Sequence, residues 1–288
     1  KVYGADGCQI TLDAARQILA RIDAVDCFDD VRTAGFDEAL SEGAVRYIPE
    51  ECIDAFVEAV YAQRVGSGEG VADLKLVYTP LNGAGFECVK KLLTKLGVTH
   101  CTVVPEQERP DGDFPTCPYP NPEIREAMEK GLELCDKVQP DLLLGTDPDC
   151  DRVGVACMTE NGPRLLNGNQ IGCVLLHYIL SQKKERGELP ANAAAVTTIV
   201  STDMARAIAE SFGCAMIEVL TGFKYIAEQI HLFETTGAHT FMFGFEESFG
   251  YLSGTDVRDK DGVNACMLIA EAAAWYKKKY GCTLVDAI

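Results

Sequence analysis

Apolar residues recur along this chain in two alternating rhythms. Short unbroken runs read as buried strands, and i, i+3/i+4 stripes read as helices. The runs predict strands at 74–78, 101–104, 142–144, 153–158, 196–200, 215–220 and 240–245. Between them, stripes predict helices at 50–64 and from Phe86 to Leu96, with Gly97 as the stop. A long Pro-rich connection at 105–120 leads to Asn121-Pro122, read as an N-cap and first-turn proline, and Ile124, Met128, Leu132 and Cys135 form the next buried stripe. Further helices are predicted from Asn167 to about 186, at 204–212 behind the capping oxygens of Ser201-Thr202-Asp203, at 223–233 and at 262–280. Strand–helix alternation in both halves predicts an α/β fold of two consecutive domains, 48–162 and 163–288, with the boundary at the turn Asn161-Gly162-Pro163. Residues 1–47 hold one helix, from Thr11 or Asp13 to about Ala24, and a polar stretch at 28–43. They carry too little apolar material for a core and read as the remnant of a further domain.

Composition narrows this picture. With 288 residues and 47% hydrophobic content, ordinary buried cores are within reach. The longest apolar stretches, 171–180 and 265–276, are too short or too interrupted to cross a bilayer. The opening Lys1-Val2-Tyr3-Gly4 has no initiator methionine and no signal-peptide pattern, and reads as a cut. Thirteen cysteines with no C-x-x-C pair indicate neither a zinc ribbon nor a disulfide framework, and reduced thiols point to the cytoplasm. A net charge of −18 argues against nucleic acid and anionic membrane as partners. An anionic substrate would need a local cationic pocket.

The densest candidate chemistry is Asp147-Pro148-Asp149-Cys150-Asp151-Arg152, directly after Leu142-Leu143-Leu144. In an extended segment these alternate carboxylates would point one way and repel unless a cation joined them. All-oxygen donors favour Mg²⁺, Mn²⁺ or Ca²⁺. An EF-hand is excluded, because Arg152 and Met158 stand where Gly and Glu are needed. An aspartyl-nucleophile phosphatase also begins Asp-x-Asp after a strand, and a solvated acidic turn is the plain alternative. Arg152, a fixed cation beside the acids, suits a site that holds both metal and phosphate.

Three further turns follow strands. Glu246-Glu247-Ser248, flanked by Gly244 and Gly250, offers acceptors for the hydroxyls of a polyol. Arg258-Asp259-Lys260-Asp261-Gly262 places two cations before a helix start, where free N–H groups also favour an anion. Thr221-Gly222-Phe223-Lys224 is a weaker strand-to-helix turn. Thr79 to Gly85 lacks the Lys-Ser/Thr of a P-loop and reads as a structural turn.

In this order and spacing the residues resemble the α-D-phosphohexomutase family, the phosphoglucomutases and phosphomannomutases, and within it the bacterial phosphoglucomutase/phosphopentomutase branch. The D-x-D-x-D-R metal loop is matched by Asp147 to Arg152. The G-E-x-S sugar loop is matched at Glu246 and Ser248, with Phe245 where Gly often stands. The string from Gly244 to Tyr251, the later Arg258 to Gly262 and the opening Lys1 to Ile10 resemble the same branch. The resemblance implies two α/β domains with mixed sheets flanked by helices, the second and third of four. It further implies a Mg²⁺ ion on Asp147, Asp149 and Asp151, and Arg152 steadying a phosphoryl group. Glu246, Ser248, Thr221, Gly222, Lys224 and Arg258 would hold a glucose, mannose or pentose phosphate, with Lys260 as candidate acid/base. The sequence departs from the family in having no T-A-S-H-N-P phosphoserine loop and no R-x-S-G-T phosphate clamp. These 288 residues are therefore expected to be inactive alone, and a noncatalytic sugar-phosphate-binding module is the alternative from a different class.

Overall fold

The computed structural model describes residues 1–288. The N-terminal region carries α1 (Leu12–Ile22) and α2 (Phe36–Ser41), neither of which buries a residue. Then follow α3 (Glu50–Ala62), β1 (Lys75–Thr79), α4 (Phe86–Leu96), β2 (His100–Val103), α5 (Arg125–Val138), β3 (Leu142–Thr146), β4 (Val153–Thr159) and β5 (Gly162–Leu166). The second half runs α6 (Gly168–Glu185), β6 (Ala193–Thr198), α7 (Met204–Ser211), β7 (Ala215–Val219), α8 (Phe223–Thr236), β8 (Thr240–Glu246), β9 (Gly250–Leu252) and α9 (Gly262–Tyr280).

Both sheets are mixed and are built to one plan. The first has the order β2-β1-β3-β4-β5, and the second β7-β6-β8-β9. In each, the first strand lies between the second and third in parallel, and the fourth returns antiparallel beside the third. The loops joining third to fourth strand, 147–152 and 247–249, are therefore equivalent positions in the two sheets. The largest apolar cluster draws on both halves, including Leu142, Leu144 and Val155 of the first sheet, Phe243, Phe245 and Tyr251 of the second, and α6 and α9. Helix α9 is buried on nearly every face, as its all-round apolar sequence demands. It packs on β3 and β4 as well as on β9.

Local chemistry explains most boundaries. Asn167 and Gln170 form a reciprocal capping box at the start of α6. Asp261 caps α9 by accepting from the N–H groups of Val263 and Asn264, at 2.8 and 3.1 Å. Gly97, Gly237 and Gly281 end α4, α8 and α9 in the left-handed region.

Several expectations are corrected. Asn121 is not the N-cap of α5, because its Oδ1 accepts from Glu123 N at 3.0 Å in a separate turn and the helix begins only at Arg125. Ile124 consequently lies outside the stripe and is 38% exposed, whereas Met128, Leu132 and Cys135 are buried. Asp203 precedes α7 without a side-chain cap, and only Thr202 Oγ1 accepts locally, from Met204 N at 3.3 Å. Strand β6 starts at Ala193 and stops at Thr198, leaving Ile199 and Val200 exposed. Strands β5 and β9 are absent from the apolar pattern, being short edge strands that start at glycine.

Candidate functional site

Strand β3 ends at the buried Thr146, whose hydroxyl meets that of Tyr78 at 3.0 Å, and releases the acidic loop there. That loop is not extended. Cys150 takes φ 55°, its N–H donates to the Asp147 carbonyl at 2.9 Å, and Asp147 Oδ1 accepts from the N–H groups of Asp151 and Arg152, each at 2.9 Å. A tight turn, rather than strand alternation, makes the acids converge. One ligand oxygen from each of Asp147, Asp149 and Asp151 lies within 4.8 Å of the others.

Two neighbouring segments hold this turn in place. The Thr79–Gly85 stretch, read from the sequence as structural, lies under it, with Ala84 N donating to Pro148 O at 2.8 Å. Gly83 abuts the Pro148 backbone with no room for a side chain, and a Cβ at Gly85 would stand 2.7 Å from Cys150 Sγ. From the other side Gly262 N, at the start of α9, donates to Cys150 O at 2.9 Å.

Beside the turn opens a cleft of about 910 Å³, lined among others by Lys1, Asp149, Asp151, Arg258, Asp259 and Lys260. Lys260 Nζ lies 3.0 Å from Asp151 Oδ2 and 3.4 Å from Asp259 Oδ1. Lys1 Nζ also pairs with Asp151, and lies 3.4 Å from Asp259 and 3.8 Å from Asp149. Burial pushes the Asp151 carboxyl up, but these two ammonium groups outweigh it and hold the acid below its usual range. Asp147 has no cationic partner. Burial first, then the charges of Asp151 and Asp149, push its carboxyl up to about 7 against the pull of its backbone donors.

Strands β8 and β9 bring the second acidic loop to the same place. Phe249 O accepts from Val153 N at 3.1 Å, and Arg152 and Gly250 form an isolated antiparallel bridge between the sheets. Gly250 leaves the space through which the Lys260 stem passes, and a Cβ there would also stand 2.9 Å from Glu246 Oε1. Burial pushes the Glu246 carboxyl up, opposed by Lys260 and the Ser248 hydroxyl. Glu247 turns away to accept from Thr198 Oγ1 at 2.9 Å.

The sequence-predicted residues therefore divide. Asp147, Asp149, Asp151, Arg152, Lys260, Glu246 and Ser248 form one contiguous group. Arg258 lines the same cleft, pairing with Glu234 through Nη2 while its buried Nη1 has no partner. Thr221, Gly222 and Lys224 sit on the β7–α8 turn and do not line the cleft. Lys224 borders a smaller cavity with Asp13 and Arg16, and the ring of the neighbouring Phe223 lies 6.0 Å from Lys260 Nζ. Sequence reasoning missed Lys1, Tyr3, Glu123 and Asp259. Tyr3 donates to Asp259 at 2.6 Å and Glu123 accepts from Arg152 at 2.8 Å. Asp259, lying between the two chosen cations, and Lys1 and Tyr3, within the Lys1 to Ile10 string that resembles the family, carried a signal, and Glu123 carried none.

The donor set fits a hard divalent cation. It is all carboxylate, and its most buried acid lacks a positive partner that a cation would supply. Arg152 and Lys260 add fixed positive charge on either side of Asp151, which suits an anionic group held against such a cation.

Comparison with known proteins agrees with this arrangement. Residues 54–162 match the model for phosphoglucomutase/phosphomannomutase alpha/beta/alpha domain II, and residues 167–287 that for domain III. Phosphoglucomutases of Staphylococcus epidermidis and Staphylococcus aureus are each 35% identical, over 97% and 100% of this chain and 50% of their own length. The chain thus spans about half the length of these curated relatives. Among solved structures, a Thermus thermophilus protein described as a phosphomannomutase superposes with a TM-score of 0.65 at 24% identity, covering 81% of this chain and 48% of its own.

Proposed function

The chain belongs to the phosphoglucomutase/phosphomannomutase family, and from that premise we propose that it forms the metal- and sugar-binding middle of a phosphosugar mutase acting in the cytoplasm. The enzyme would interconvert a sugar 1-phosphate with the 6-phosphate of a hexose or the 5-phosphate of a pentose. Phosphate would travel by way of a phosphoserine and a bisphosphate intermediate. The observation that carries this reading is the backbone junction of the two acidic loops, Arg152 with Gly250 and Val153 with Phe249, around the side chain of Lys260. A phosphoryl-accepting centre and a polyol-accepting loop lie within reach of one small substrate.

Mg²⁺ bound to Asp147, Asp149 and Asp151 would neutralise charge on the transferring phosphoryl oxygens. The protein's own groups do the rest. Arg152 offers the guanidinium nitrogens not taken by Glu123 to the phosphoryl oxygens. Glu246 and Ser248 accept and donate to sugar hydroxyls, and the Arg258 Nη1 without a partner is available to the substrate's second phosphate. Lys260 stands between the two loops and would receive or return a proton at the reacting hydroxyl. Thr221, Gly222 and Lys224, on the β7–α8 turn, would add further contacts to the sugar. With its Oδ1 held by two backbone N–H groups, Asp147 is poorly placed to act as a nucleophile, which weighs against a phosphatase.

None of the 288 residues supplies the family's phosphoserine string. The test is a coupled assay with Mg²⁺ and the 1-phosphates of glucose, mannose and ribose. It would compare this chain with the longer polypeptide that carries the phosphoserine loop. Turnover is expected from the longer polypeptide alone. Turnover by the 288 residues would overturn the division of labour, and none from either would overturn the mutase reading.

A further inference from the structure

Arg152 follows three carboxylates in sequence, and its Nε is 4.0 Å from Asp151 Oδ1. A long cation in that position has an obvious resting place on the acids themselves, where it would compete with a metal ion. In the structure only Nε stays at the edge of ion-pair range, and the outer guanidinium is turned away from the acids. Nη1 donates to Glu123 Oε1 at 2.8 Å instead.

Both ends of this pair are fixed by backbone. Arg152 N–H is bound to Asp147 Oδ1, and the residue is bridged to Gly250. Glu123 sits in the turn made by Asn121, which accepts from Glu123 N through Oδ1 and from Ile124 N through its carbonyl, each at 3.0 Å. Pro122 closes against Gly154, where a Cβ would stand 2.8 Å from the proline ring and carbonyl. Gly154 lies on β4, two residues beyond Arg152, so the strand that the arginine leads into also locates the turn that carries the glutamate. The side chains of Arg152 and Glu123 are 32% and 31% exposed, so the pair contributes at most about 1 kcal/mol to stability. Its geometry is too well supported for so small a return in stability alone.

We infer that Glu123 is a positioning residue. It draws the Arg152 guanidinium off the aspartate triad, keeping the carboxylates open to a divalent cation and presenting the remaining guanidinium nitrogens toward the phosphoryl position. The inference rests on the metal-site reading above. It concerns this chain's own residues and is testable without turnover.

The experiment is calorimetric titration of the 288-residue chain with Mn²⁺, in the wild type, Glu123→Ala, Arg152→Ala and the double variant, with thermal melting as the folding control. Replacing Glu123 is expected to weaken Mn²⁺ binding about tenfold while Arg152 is present, and by less than about twofold when Arg152 is alanine. An equal effect in both backgrounds would show simple loss of negative charge and overturn the inference, as would no effect in either. If the wild type binds no Mn²⁺, the metal-site reading itself fails and the inference falls with it. Binding by the wild type with an unchanged Glu123→Ala variant sinks the positioning role alone.

Discussion

Arg152 and Gly250 are backbone partners although they belong to different sheets. Each opens the antiparallel return after an acidic loop, and each loop contains a non-glycine residue in the left-handed region, Cys150 at φ 55° and Phe249 at φ 65°. The two equivalent loops are therefore joined to each other rather than facing across open solvent. A displacement of either backbone is passed to the other by the bridge and by Val153 N to Phe249 O.

Gly262 tests the support behind that junction. A Cβ there would stand 2.5 Å from Cys150 O, a backbone atom that cannot swing aside. Gly262→Ala is expected to destabilise the protein by about 1–3 kcal/mol through overpacking. It also displaces the carbonyl-to-helix contact, so Mn²⁺ affinity should fall. Urea unfolding together with metal titration checks both, and retained affinity would show that the turn holds its shape without α9.

Asp147→Asn separates charge from shape. The amide oxygen can still accept from the N–H groups of Asp151 and Arg152, but the buried charge without a cationic partner is gone. Metal-free protein is expected to melt higher, by about 2–4 °C for each kcal/mol gained. The melting increase that saturating Mg²⁺ gives the wild type should vanish. A variant still stabilised by Mg²⁺ would place the cation elsewhere.

The fold was legible where a local signal and the tertiary contact agree. Asp261 and Gly281 bracket α9 with a carboxylate and a left-handed glycine, so its limits follow from the neighbouring residues alone. The acidic loop was legible because its three acids fall at alternate positions within five residues. Strand β5 was not, since Gly162 and Pro163 carry no strand pattern and only pairing with β4 makes them one. Lys1 and Glu123 reach the site across 150 and 29 positions, contacts that no periodicity encodes. Thr221 to Lys224 lie outside the lining of the large cleft, and position after a strand does not by itself determine which cleft a turn faces.

Lys260 separates binding from chemistry. Its side chain is 8% exposed and pairs with Asp151 on the face that borders the cleft. Lys260→Met keeps the apolar stem and removes the ammonium that competes for the acid. Mn²⁺ should then bind the 288-residue chain more tightly. In the full-length mutase proposed above, turnover should drop about a hundredfold or more if the lysine moves the proton. Unchanged turnover would remove Lys260 from the acid/base role and leave it a charge-balancing residue.

Asp261 makes stability depend on pH. Burial pushes its carboxyl up to about 6, offset in part by the N–H groups of Asn264 and Val263. In the unfolded chain the group titrates near 3.9. The folded state thus holds the proton more tightly, so the stability due to this group is fully present below about pH 4 and is lost as pH rises through about 6. Asn at the same position can still cap α9 and cannot ionise. Asp261→Asn should therefore gain on the wild type between pH 4 and pH 7, by on the order of 1–3 kcal/mol. Asp261→Ala loses the cap and should be less stable than the Asn variant at both pH values, by about 1 kcal/mol. Urea unfolding of the three proteins at pH 4, 5.5 and 7 measures these differences. If wild type and Asp261→Asn run parallel across that range, the carboxylate is stabilised at the α9 N-terminus well enough to offset its burial, and the loss of stability above pH 4 lies elsewhere.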